Sequence, residues 1–124
     1  MMDVRAEFIS RLKTGVTLVS NRVHRIKAPQ TTAKPFITVE LQDPGRKYVF
    51  GGTSGLSIAM MSATSVATTY DGAAAVAAQV ETAMEGWAAV KAEVQAVNMV
   101  EETEEYYDDA ELYGVTQTFQ IFHT

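Results

Sequence analysis

Apolar positions near the start of the chain recur every four residues. Val4, Phe8 and Leu12 fall at i, i+4 and i+8, with Ile9 beside them, while Glu7, Ser10, Arg11 and Lys13 take the other side. This pattern predicts a short amphipathic helix, with Asp3 as its N-cap and its end near Gly15. Residues 22–26 read as extended. A loop follows from Ala28-Pro29-Gln30 to Lys34-Pro35, because each proline disfavours helix at the residue before it. Residues 36–42 alternate strictly, with Ile37, Val39 and Leu41 on one face, and predict a strand. Asp43-Pro44-Gly45 reads as a turn, with proline setting φ at its second position and glycine accepting positive φ at its third. A strand over 47–50 and a loop, Gly51-Gly52-Thr53-Ser54-Gly55, complete the first half.

Residues 56–66 predict a longer strand without a polar face. Leu56, Ile58, Met60 and Val66 point one way and Ala59, Met61 and Ala63 the other. Such a strand is usually covered twice, here by a helix on one side and a neighbouring subunit on the other. The second helix starts at Asp71, read as its cap. Its stripe is Ala73, Val76, Ala77, Val80, Ala83, Met84 and Trp87, opposite Gln79, Glu81, Thr82 and Glu85. Strands over 93–101 and 112–122 follow, the latter with Tyr113, Val115, Phe119 and Ile121 on one face. The acidic stretch 101–111 between them reads as a solvated hairpin loop. The order α-β-β-β-α-β-β predicts one α+β domain over 1–124, with two helices packed on one face of a mostly antiparallel twisted sheet. If strands 56–66 and 93–101 run parallel, the crossover through the second helix should be right-handed.

Charge adds a division that the hydrophobic pattern does not show. Of 124 residues, 10 are Lys or Arg and 15 are Asp or Glu, a formal charge of −5. Residues 1–47 carry nine of the bases against four acids, a net +5. Residues 48–124 carry one base, Lys91, against eleven acids, a net −10. Such asymmetry points to an electrostatic partner surface or to an assembly in which unlike ends meet. The absence of cysteine excludes a disulfide framework, a Cys-based zinc site, an iron–sulfur cluster and a thiol nucleophile. No apolar run is long enough to span a bilayer, and the charged N-terminus lacks the apolar segment of a signal peptide.

The sequence carries no catalytic, cofactor-binding or metal-binding motif. His24 and His123 lie far apart in sequence, without the spacing of a triad, and are expected to be exposed or at an interface. Gly52-Thr53-Ser54-Gly55-Leu56 has Leu where a hydrolase elbow needs its second glycine. The 51–55 loop lacks the Gly-Lys-Ser/Thr ending of a phosphate-binding loop and opens a strand rather than a helix. The acidic run has neither the alternating ligands nor the central glycine of an EF-type calcium loop. Its Tyr106-Tyr107 pair suits a contact anchor. The bases of the first part are scattered among acids and match no nucleic-acid-reading motif.

Taken together, several segments resemble the tail terminator, or tail-completion, proteins of long-tailed bacteriophages and prophages. These are Asn21-Arg22-Val23, Ala28-Pro29-Gln30 and Pro35-Phe36-Ile37-Thr38-Val39, then the strand over 56–66 and the Thr69-Tyr70-Asp71 junction. An Ala-rich helix ending in Trp87, an acidic Tyr-containing loop and the aromatic strand Val115-Thr116-Gln117-Thr118-Phe119-Gln120-Ile121 complete the resemblance over nearly the whole chain. It implies a non-enzymatic virion protein of the tail-neck region, assembled in the host cytoplasm. Such a protein forms a ring, usually a hexamer, that stops polymerisation of the tail tube and presents a head-joining surface. The implied partners are further copies of itself, the tail tube protein and a head-completion or connector protein. Genomic DNA passes through without specific binding, no cofactor is required and no membrane is involved.

A ring of identical subunits needs two unlike, complementary patches on each. The candidate contact residues are Arg22, Arg25 and Lys27 on the basic side, Ile58, Met60 and Met61 on the doubly apolar strand, and Glu101, Glu102, Glu104, Glu105, Tyr106 and Tyr107 on the acidic side. The acids are expected to face either the lumen or the basic segment 22–34 of the next subunit. The alternatives are a head-closure or neck connector of the same particle, or a small α+β ligand-binding domain with its site on the sheet face.

Overall fold

The computed structural model describes residues 4–27, 33–41, 48–50 and 56–124. The N-cap assigned to Asp3, the loop start at 28–32, the 43–45 turn and the 51–55 loop lie outside the described residues. Helix α1 spans Val4–Gly15 and buries Val4, Phe8 and Leu12, the predicted stripe. A 3-10 turn at Thr17–Val19 leads into the short strand β1, Val23–Arg25. Strands β2 (Phe36–Leu41), β3 (Tyr48–Phe50) and β4 (Leu56–Ala67) follow. The Lys34-Pro35 peptide before β2 is cis.

Helix α2, Tyr70–Glu85, is capped by Thr69 rather than Asp71. The Thr69 hydroxyl accepts from the Gly72 amide at 3.0 Å, which places Asp71 in the first turn, where its charge still complements the helix dipole. The helix ends at Gly86, so Trp87 opens a separate short helix, α3 (Trp87–Val90). All seven predicted stripe residues are nevertheless buried. Strands β5 (Val94–Tyr107) and β6 (Leu112–His123) form the terminal hairpin. The acidic segment is therefore mostly strand. Residues 101–107 pair with 112–118 of β6, and only 108–111 turn the chain.

The six strands make one sheet in the order β1-β2-β4-β6-β5, with β3 paired to β4 beyond the end of β2. Every pairing is antiparallel except β1 with β2. The fold is α+β, as the pattern predicts. Strands β4 and β5 run in the same direction, with β6 between them.

Directly paired residues share a face, which identifies the covered side. Val39, Ala63 and Gln117 fall in one row, and Leu41, Met61, Phe119 and Met99 in another. This side lies under α1 and α2, whose Phe8, Leu12, Val76, Val80 and Met84 join Ile37, Val39, Met61, Phe119 and Ile121 in one core. Phe8 sits at its centre, with ring centroids 6.1 Å from Trp87 and 6.3 Å from Phe119. Small residues set the spacing of the layers. Ala73 and Ala77 of α2 pack with Ala67 and Val115. At the crossing of α1 and α2, a Cβ on Gly15 would stand 2.8 Å from the Ala83 Cβ. Only glycine lets the helices approach this closely without a shift.

Candidate assembly surfaces

Sheet order puts Arg22, Arg25 and Lys27 at one edge and Glu101, Glu102, Glu104 and Glu105 at the other. Strand β1 is one edge, β5 the other, and β2, β4 and β6 separate them. At the β1 edge the Arg25 and Lys27 side chains are exposed, whereas Arg22 is half-buried and donates its Nε to the Pro35 carbonyl at 3.0 Å. Arg22 thus fixes the approach of the chain to β2. The backbone here turns on itself at both ends of β1. The Val23 amide donates to Asn21 at 2.9 Å, the Lys27 amide to Arg25 at 2.6 Å, and Ser20, Asn21 and Ile26 have positive φ. Ile26 is the exception among these. It is β-branched, sits at φ 65° and is 75% exposed between the two cations. A β-branched side chain in this conformation is strained.

The β5 edge is long and anionic. Glu101, Glu102, Glu104 and Glu105 are all exposed. Register places Glu102 and Glu104 on the helix-covered face and Glu101 and Glu105 on the open one. Glu102 accepts from Gln117 Nε2 at 3.1 Å, and Glu104 accepts from the Tyr70 hydroxyl at the start of α2. The Glu104 carboxylate raises the Tyr70 phenol above its ordinary value, first through that hydrogen bond and then through its charge. Tyr106 packs on Tyr113 with centroids 4.8 Å apart, and Tyr113 meets Tyr70 edge-on at 6.3 Å. On the other face the Tyr107 ring covers Gly114, where an added Cβ would stand 2.7 Å from the ring. Burial, then the charge and hydrogen bond of Glu105, raise the Tyr107 phenol as well.

The charge division is sharper than the sequence total. Lys91, the one base of residues 48–124, pairs with Glu7 of α1 at 3.2 Å. That contact joins the exceptional base of one half to an acid of the other.

Of the predicted apolar contacts, Ile58 and Met60 lie half-buried on the open face of β4. Met61 is 1% exposed beneath the helices and offers no surface, because strand alternation turns it into the core. His123, expected to be exposed or at an interface, is also buried, on the covered face of β6. The middle of the open face is polar but uncharged. Thr38, Thr64, Thr116 and Thr103 form a row across four strands, with the Thr64 and Thr116 hydroxyls 2.9 Å apart. Beyond this row lies an open groove of about 800 Å³. Phe36, Val66 and Leu112 line it, with Ile26 and Lys27 on the β1 side and Asp108 and Asp109 on the hairpin side. No three His, Asp or Glu side chains among the described residues are grouped to hold a metal ion.

A family profile described as tail completion protein gp17 matches residues 8–124. The chain belongs to this family. It is a structural protein of a phage-type tail. Comparison with curated proteins finds no match. Among solved structures, the fold is similar to a chain from the virion of a native gene transfer agent particle. The TM-score is 0.67 at 14% identity, covering 94% of this chain and 90% of that one. At that identity the likeness concerns the fold. No helix among the described residues is long and apolar enough to cross a membrane.

Proposed function

We propose that the protein assembles into a ring, a hexamer, that caps the tail tube, ends its polymerisation and presents the surface to which the head joins. Family membership over residues 8–124 carries this reading. The placement of unlike charge at opposite edges of one sheet supports it, because a closed ring requires two different patches that match when one copy is rotated onto the next. The partners are further copies of the chain, the tail tube protein and a head-completion protein, in the neck region of the particle. DNA passing through the ring meets acidic side chains that repel phosphate, so it is not retained.

Light scattering coupled to gel filtration, with and without isolated tails, tests the ring. An assembly near six times 13.5 kDa supports it. A strict monomer in both conditions refutes it. Electron microscopy of particles made without the protein separates its two duties. Overlong headless tails mark a terminator, whereas headless tails of normal length mark a head-closure or neck connector.

A further inference from the structure

We infer that the ring contact, on the ring reading just given, is made head to tail between the two edges of the sheet. Ile26, with Arg25 and Lys27 around it, docks on the acidic β5 edge and the tyrosine platform of a second copy of this chain. The anchor of the contact is Ile26. A large apolar side chain, 75% exposed, stands on a strained backbone between two exposed cations. Strain of this kind persists only where the surroundings or a function hold it. Protein interfaces place an apolar anchor at the centre and charges at the rim, which is the layout of residues 25–27.

The opposite edge carries the complement. Tyr70 and Tyr106 are each 46% exposed, and both rest on Tyr113. Tyrosines held by stacking present a rigid apolar surface with little entropy left to lose on contact. Glu102 and Glu104 flank this platform on the covered face, and Glu101 and Glu105 continue the acidic edge on the open face, all with the sign that Arg25 and Lys27 require. Like edges repel, so β1 against β1 and β5 against β5 are disfavoured. Only the unlike pairing remains, which repeats by rotation. Because the edges lie at opposite ends of the sheet, one copy engages two neighbours at once. Side chains rather than shared ladder bonds make the contact, since the amides of Val23 and of Lys27, two residues past the end of β1, already donate within their own segment.

Two charge-reversed variants test this, Arg25→Glu/Lys27→Glu and Glu101→Lys/Glu105→Lys. Circular dichroism and thermal melting check that each is folded. Each alone places like charges at the contact and is expected to raise the half-assembly concentration about tenfold or more. Mixed one to one, they meet only as complementary pairs, and assembly at the wild-type mass returns as an alternating ring. Such a ring closes only with an even number of subunits, so recovery also supports the hexamer over five- or seven-fold rings. A misfolded variant is not rescued by mixing. Wild-type rings beside variants that assemble equally well, or that fail and stay apart when mixed, overturn the edge contact and leave the ring standing. A wild-type chain that never associates, in solution or on tails, overturns both.

Discussion

The two edges of the sheet handle the same hazard by different means. An edge strand presents unpaired amides and carbonyls that invite pairing with another chain. Strand β1 is three residues long and is closed by tight turns at Asn21–Val23 and Arg25–Lys27, so little of its backbone remains open. Strand β5 is fourteen residues long and is guarded by four glutamates. One edge is protected by its shape and the other by its charge. Protecting an edge therefore need not exclude recognition by it. Charge repels copies of the same edge while leaving that edge attractive to its opposite, so one feature blocks aggregation and selects the partner.

Removing the charge from one edge gives the largest expected effect. Changing Glu101, Glu102, Glu104 and Glu105 together to glutamine keeps an acceptor oxygen for Gln117 and for Tyr70, so the hydrogen bonds of the fold survive. At a few tenths of a kcal/mol to about 1 kcal/mol for each exposed pair, assembly weakens by about 2 kcal/mol, roughly thirtyfold. Its dependence on salt should also flatten, because the screened interaction is gone. Sedimentation across a salt series measures both. Rings that form unchanged at every salt concentration would remove electrostatics from the account of this edge.

Support for the acidic hairpin comes next. The Tyr107 ring lies on Gly114 in the neighbouring strand, and Gly114→Ala puts a methyl group 2.7 Å from it. The ring must swing away from its half-buried site, at a cost of about 1–2 kcal/mol. Thermal unfolding should drop by several degrees, with loss of hydrogen-exchange protection concentrated in residues 103–116. An equal loss of protection at β1 would mean that the hairpin and the opposite edge unfold as one unit, and the independence of the two edges would fail.

Periodicity made most of this fold legible. Val4, Phe8 and Leu12, and the α2 stripe, follow helical spacing, and all are buried. The β2 alternation likewise turns Ile37 and Val39 into the core. The acidic segment was harder to read, because four glutamates and low apolar content resemble a loop. It is strand because β6 supplies a ladder for it, and an edge strand exposes its side chains on both faces without loss. The Thr69 cap was obscured by Asp71, an equally good capping residue two positions later. Met61 and Met60 have the same chemistry, and only the placement of the helices separates a core residue from an open-face one. Ile26 left no sequence signal at all. β-branched residues favour extended backbone, so nothing in Arg25-Ile26-Lys27 announces a positive φ. The basic edge was legible as charge, but its anchor was not.

That anchor yields a prediction in which stability and assembly move in opposite directions. Asparagine tolerates the left-handed region and lacks the exposed apolar surface, so Ile26→Asn relieves strain worth about 1 kcal/mol. The dilute, unassembled protein should melt roughly 4 °C higher. The same change removes the apolar centre of the β1 edge and should weaken assembly. If the melting temperature and assembly fall together, Ile26 is an ordinary structural residue and the strain has no role at the contact.

The smallest effect distinguishes the edges by titration. The phenols of Tyr70 and Tyr107 are both raised, and both residues border the glutamates of β5. For Tyr70 the principal cause is donation to the Glu104 carboxylate, an interaction made only by the neutral phenol. The contact is therefore complete below the ordinary phenol pKa of about 10 and is lost as pH rises through the higher folded value. Ultraviolet absorbance of the phenolate follows this directly. Subtracting the curve of Tyr70→Phe from that of the wild type isolates a component ionising above the ordinary range. In Glu104→Gln, which removes the charge, that component should shift down towards it. A Tyr70 component already at the ordinary value in the wild type would show that the α2 tyrosine is not tied to the acidic edge, and the platform would lose one of its supports.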